Sequence, residues 1–144
     1  MKKMDKKGFT LIELLAVIVI LAIIMVIAVP QILNVIENSR ESAWKSNVKM
    51  IAEGIELGKA TSDFSTDKFN INDVCTGASG IEETNLLDNE SFLKIADVSS
   101  ADTKVTCTST KGGVKVEGQG QFSTQPTATL DCSTGSCKIT YETK

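Results

Sequence analysis

Residues 1–30 read MKKMDKKGFTLIELLAVIVILAIIMVIAVP. Lysines stand at positions 2, 3, 6 and 7, and from residue 9 to residue 29 the only charged side chain is Glu13. A helix through that apolar run rises about 30 Å, the hydrocarbon thickness of a bilayer. The lysines directly before it predict a cytoplasmic N-terminus, with the rest of the chain on the far side of the membrane.

Three readings of this block compete. A conventional secretory signal ends its apolar region at a small-x-small cleavage site, whereas this one runs through Val29 and Pro30 into a continuing helix pattern without an Ala-x-Ala exit. A plain anchor accounts for length and flanks but leaves Glu13 without a reason. A carboxylate in lipid costs about 2.5–3.5 kcal/mol and is expected to face a partner. The third reading is a leader removed ahead of the apolar block.

The run Gly8-Phe9-Thr10-Leu11-Ile12-Glu13, followed by an uninterrupted apolar helix, resembles the leader and helix start of type IV prepilins and type II secretion pseudopilins. The resemblance implies cleavage after Gly8 by a membrane peptidase, N-methylation of the new terminus at Phe9, and retention of the apolar block. Glu13 then becomes the fifth residue of the processed chain. Paired with the Phe9 ammonium of a neighbouring subunit, it lowers the cost of burying both charges and sets the register of each incoming subunit. The resemblance also implies an inner-membrane platform and an assembly ATPase as partners, homopolymerisation through the N-terminal helices, and membrane lipid as the environment before assembly.

Pro30 falls where many members of that family carry a helix-kinking proline. It lacks the N–H that would bond the carbonyl four residues back, so a bend or local melting is expected over residues 26–30. Neighbouring helices can re-satisfy such a defect.

Beyond Pro30, Ile32, Ile36, Trp44, Val48, Ile51 and Ile55 recur at mostly three- and four-residue steps among Glu37, Arg40, Glu41, Lys45, Lys49 and Glu53. The spacing predicts an amphipathic helix with one buried stripe, ending near Ala60 with Gly58 as a stop signal. Trp44 on that stripe reads as the centre of a helix-to-sheet core.

The remainder is polar. Residues 61–101 carry little periodic signal, though Leu86-Leu87 and Phe92-Leu93-Ile95 suggest a short buried helix or turn; in the resembled family this is a variable loop between helix and sheet. Strands are predicted at 104–108, 114–118, 127–131 and 138–142, the first two joined by Lys111-Gly112-Gly113. The layout is therefore a leader (1–8), a transmembrane and filament-core helix (9–30), its amphipathic continuation (31–60) and a globular head (61–144). The head comprises a variable loop over 61–103 and a sheet over 104–142. The fold class is α+β: a long N-terminal helix whose second half packs on an antiparallel sheet of about four strands, the pilin fold.

Cys75, Cys107, Cys132 and Cys137 all lie in this second half. An even number of cysteines in a small polar domain favours disulfides and an oxidising compartment. Cys132 and Cys137 flank Ser133-Thr134-Gly135-Ser136 and would face each other across a closed hairpin, which makes Cys132–Cys137 the preferred bridge and leaves Cys75–Cys107. Three connectivities remain open to four cysteines. Their spacing matches no zinc site, and no metal or cofactor is predicted.

The chain contains no histidine and has a formal net charge of −3. The first removes the commonest general base and nitrogen ligand. The second, more negative still once the lysine-rich leader is lost, argues against nucleic acid as the main partner. Gly118-Gln119-Gly120 lacks the rest of a phosphate-binding loop and reads as a strand end or bulge. Glu82-Glu83 reads as a solvated loop, and Asn89-Glu90-Ser91 matches a glycosylation pattern that carries no claim. No catalytic residue is assigned. Asp131 is the only acidic residue beside the final loop before Glu142, so the calcium bound there in some pseudopilins is not expected.

The function expected from these residues is that of a structural subunit of a type IV pilus, a single-pass membrane protein before assembly and part of an extracellular filament afterwards, for adhesion, motility or aggregation. Two alternatives share much of the pattern: a pseudopilin of a type II secretion or DNA-uptake system, and a membrane-anchored extracellular binding domain. The last keeps its leader and tolerates Glu13→Ala.

Overall fold

Leucine, isoleucine, valine and alanine, without a glycine and with Glu13 as the only charge between residues 9 and 36, favour a helix at the N-terminus. Helix α1 spans Leu11–Thr61 in the computed structural model, which describes residues 8–62, 70–77, 86–88 and 98–142. By contacts the chain divides into two units, Met1–Ser39 and Arg40–Lys144.

In the first unit α1 starts at Leu11 rather than at Phe9, because Thr10 caps it. The helical assignment passes Pro30 without interruption, so the local melting allowed for there does not occur. All described residues of this unit are exposed except half-buried Ala28. Ile32 and Ile36 are 55% and 42% exposed, which corrects their assignment to the buried stripe. Their spacing is helical, yet both side chains are exposed.

The second unit holds the core. Trp44, Val48, Ile51, Ala52 and Ile55 form the buried face of α1, each large side chain contributing about 1.5–3 kcal/mol by leaving water. Gly58 is buried inside the helix. The end is instead held by hydroxyls: Thr61 Oγ1 donates to the Leu57 carbonyl and Ser62 Oγ to the Lys59 carbonyl, both at 2.9 Å. The Ser62 hydroxyl satisfies a last-turn carbonyl that the helix leaves without a partner, and the Thr61 hydroxyl bonds back to the carbonyl four residues earlier.

Four strands follow: β1 (Thr103–Cys107), β2 (Gly113–Gly118), β3 (Ala128–Asp131) and β4 (Lys138–Tyr141). They form an antiparallel sheet in the order β1-β2-β3-β4, each within a residue of its predicted bounds. Register aligns Val105 with Val116 and Val116 with Ala128, and likewise Cys107 with Val114 and Val114 with Leu130. Those apolar rows alternate with Lys104 opposite Glu117 and Thr106 opposite Lys115, as the two-residue period of a one-sided sheet requires. The apolar side chains join the α1 face in one core with Ile71, Leu87, Val98 and Phe122. Trp44 lies fully buried, its ring tilted against Phe122 and its indole N–H donating to the Pro126 carbonyl at 2.9 Å.

Between α1 and the sheet, a one-turn helix α2 (Ile71–Val74) starts on Asn70, whose side chain accepts from the Asn72 N–H. The periodicity of this region gave no sign of it. Leu86–Asp88 forms a single 3-10 turn with Leu87 buried. Phe92-Leu93-Ile95, Glu82-Glu83 and Asn89-Glu90-Ser91 lie outside the described residues. At Gly118 the strand ends against the Phe122 carbonyl, and Gly120 opens a further 3-10 turn at positive φ.

Candidate functional site

Gly8, Phe9 and Thr10 precede the first turn of α1. The position a Gly8 Cβ would take has no atom within 4 Å, and Phe9 is 84% exposed. Both residues precede the first residue of α1.

Thr10 and Glu13 form a reciprocal cap. The Glu13 N–H donates to Thr10 Oγ1 at 3.3 Å, while Glu13 Oε2 accepts from the Thr10 N–H at 2.8 Å and from its hydroxyl at 2.9 Å. This is the capping box of a Thr-x-x-Glu sequence. The Thr10-x-x-Glu13 spacing is a local signature of this cap, which the charge argument for Glu13 alone does not capture. The cap holds the Glu13 carboxylate at the N-terminal end of α1, where the helix dipole favours negative charge.

From Leu11 onward α1 is long and apolar enough to cross a membrane, and none of its most apolar window is buried within the protein. Leu14, Leu15, Ile18, Leu21, Met25 and Val29 are among its exposed side chains. A monomer in water cannot sustain a surface of this kind.

In the second unit a different constellation surrounds the C-terminal loop. Cys132 and Cys137 are joined by a disulfide, as are Cys75 and Cys107. Lys59 in the last turn of α1 donates to the Cys132 carbonyl at 2.6 Å and also to the Thr134 carbonyl. One turn earlier, Glu56 accepts from the Cys137 N–H at 2.6 Å. Asp131 accepts from both the hydroxyl and the N–H of Ser133, and these bonds hold its carboxyl below the usual carboxylate range. The loop is thus tied down at both ends by a helix more than seventy residues away in sequence, a pairing no local pattern could reveal.

An open cleft of about 350 Å³ lies along β1 and β2, with Lys104, Lys115 and Glu117 among its lining residues. Lys115 and Glu117 are paired with each other at 2.8 Å and Cys107 is in a disulfide. Among the described residues no group of three His, Cys, Asp or Glu side chains is placed to hold a metal ion.

These features define a class: a protein with one membrane-length apolar helix and an antiparallel four-stranded head, an α+β arrangement consistent with the pilin fold. The prokaryotic N-terminal methylation motif, the hallmark of type IV pilin and pseudopilin leaders, matches residues 3–29. It supports a type IV pilin-like or pseudopilin-like protein and points to a structural family. With the apolar helix it also fits a single-pass, membrane-anchored chain. No curated protein and no solved structure matches the chain at a significant level.

Proposed function

We propose that this protein is a structural subunit of a type IV pilus. A prepilin peptidase cuts between Gly8 and Phe9 and the new terminus is methylated. The subunit waits in the membrane with residues 9–30 spanning it, its N-terminus cytoplasmic and its head outside. An inner-membrane platform driven by an ATPase then moves it into a filament, where neighbouring helices replace lipid around α1. The observation that carries this reading is the continuity of the methylation motif with an apolar helix whose most apolar window has no buried residue among the described ones.

Membrane and filament are two alternative homes for one surface. Each buried methylene contributes about 0.8 kcal/mol relative to water, so the helix leaves lipid only for another apolar environment. Within the filament core the ammonium of Phe9 and the carboxylate of Glu13 are the two charges that must meet, and their meeting fixes the axial register. Pro30, without an N–H for the Val26 carbonyl, is the point at which the helix bends as neighbours pack around it. The disulfides Cys75–Cys107 and Cys132–Cys137 brace the head for extracellular exposure.

The test is intact mass and N-terminal sequence of the protein in sheared surface fibres and in membranes. A chain beginning at methylated Phe9 in sheared fibres supports the pilus. A processed chain confined to the cell envelope supports a pseudopilin instead. A full-length chain found only in membranes supports a tethered domain and overturns both.

A further inference from the structure

We propose that residues 31–39, immediately after Pro30, lie along the outer surface of the bilayer while the subunit waits in the membrane, with Ile32, Leu33, Val35 and Ile36 set into the acyl boundary. This rests on the membrane-held precursor proposed above and adds a lipid-binding segment to it.

The first observation is length. Residues 9–29 already fill the roughly 30 Å hydrocarbon core, yet apolar side chains continue to Ile36. Ile32, Leu33, Val35 and Ile36 are between 42% and 67% exposed. In a straight helix normal to the membrane, Val35 stands about 9 Å beyond Val29, past a headgroup layer of roughly 5–7 Å. Val35 and Ile36 would then face water.

The second observation is segregation. Advancing about 100° per residue, Val35, Ile32, Ile36 and Leu33 occupy one arc of about 160°, which Ser39 also shares. Gln31, Asn34, Glu37 and Asn38 occupy the opposite arc of about 120° with no apolar intruder. Residues 9–29 show no such division, since Glu13 is their only charged side chain. A helix apolar all round crosses a bilayer, whereas one divided into two faces lies in its interface. The change occurs at Pro30.

The third is the hinge. Pro30 cannot donate to the Val26 carbonyl and its ring crowds that turn, so a bend there forfeits less than it would at any neighbouring position. Turning the next two helical turns into the membrane plane buries the apolar arc and leaves the polar arc in water. Lipid is the occupant because the segment follows the spanning run without a gap.

The test uses the full chain with its native disulfides oxidised, at high dilution in phosphatidylcholine vesicles. Nitroxide labels are placed singly through Val35→Cys, Ile36→Cys, Asn34→Cys and Asn38→Cys, with Val19→Cys as a site inside the span. The reading is the logarithm of the ratio of collision rates with oxygen and with a water-soluble nickel complex. It is expected to be positive at 19, 35 and 36 and negative at 34 and 38. Negative values at all four sites beyond Pro30, with 19 positive, overturn the surface segment and leave the membrane reading intact. Shielding of 35 and 36 from both reagents also overturns it, in favour of a second copy on that face. A negative value at 19 overturns both.

Discussion

Gly112 receives the Cys132 N–H on its carbonyl at 3.0 Å while its own N–H donates to the Cys75 carbonyl at 2.8 Å. One glycine in the β1–β2 turn thereby links the two disulfide-bonded regions of the head. Its φ of +69° is one that side-chain-bearing residues avoid, and a Cβ there would collide with the Asn72 side chain and press on the Ser133 backbone. Gly112→Ala is expected to cost about 2–4 kcal/mol, from left-handed strain together with overpacking. The check is the urea midpoint of the detergent-solubilised oxidised chain. A midpoint equal to wild type would show that the turn accommodates the methyl group.

Lys59 supplies the second tie to this loop. Replacing it by methionine keeps the aliphatic stem but removes the donor to the Cys132 and Thr134 carbonyls. Because charged hydrogen bonds contribute about 1.5–3 kcal/mol and Lys59 is only half-buried, a loss of about 1–2 kcal/mol is expected. Amide exchange should accelerate at Cys137, whose N–H is held by Glu56 in the same clamp, while exchange at Val105 and Val116 in the sheet stays slow.

The two disulfides should differ in their effect on stability. Cys75 and Cys107 are 32 residues apart in sequence, Cys132 and Cys137 only 5. The chain-entropy account gives about 3.7 kcal/mol for the longer loop and about 2 kcal/mol for the shorter. Paired serine replacements at 75 and 107 should therefore lower the urea midpoint more than those at 132 and 137. The reverse order would mean that the Lys59–Glu56 clamp depends on the short bridge.

How far the sequence foretold this molecule divides by the range of the interactions. The apolar run over 9–29 needed only composition and length, and the buried stripe from Trp44 to Ile55 only a helical period. The strands were read within a residue because Val114-Lys115-Val116 alternates cleanly. What failed was coverage. Ile32 and Ile36 have the same spacing as Val48 and Ile51, and a period cannot say which surface lies opposite. The Lys59 and Glu56 clamp and the Gly112 link join residues 20 to 81 positions apart, and α2 is too short to show a period at all. The Thr10–Glu13 cap is a local signal, legible from the Thr-x-x-Glu spacing but not from the charge of Glu13.

Two titrating groups contribute to the pH limits of the head, one on each side. Asp131 has a folded pKa below the ordinary carboxylate value, held down first by the Ser133 hydroxyl and then by its N–H. Its contribution is fully present above the unfolded value near 3.9 and is lost as pH falls through the folded value. Burial pushes the Tyr141 phenol up, so its contribution is present below about pH 10 and is lost as pH rises through the folded value. Urea midpoints measured against pH should show a plateau between these limits. Asp131→Asn should flatten the acid limb alone, and Tyr141→Phe the alkaline limb alone.

Glu13 is asked to do two things that one substitution can separate. In the free subunit its carboxylate caps α1 through Thr10, and in the proposed filament it meets the ammonium of a processed Phe9. Glutamine preserves the capping geometry, since its amide oxygen still accepts from Thr10, but carries no charge for the ammonium. Glu13→Gln is therefore expected to be cleaved at Gly8 and inserted like wild type, yet to yield as few sheared fibres as Glu13→Ala. Thr10→Val, which loses the hydroxyl but keeps the charge, should weaken the first helical turn by about 1 kcal/mol and leave fibre yield largely intact. Comparing leader cleavage by mass with fibre yield by shearing distinguishes these outcomes. Wild-type fibre yield from Glu13→Gln would mean that the cap, and not the ion pair, is what assembly requires.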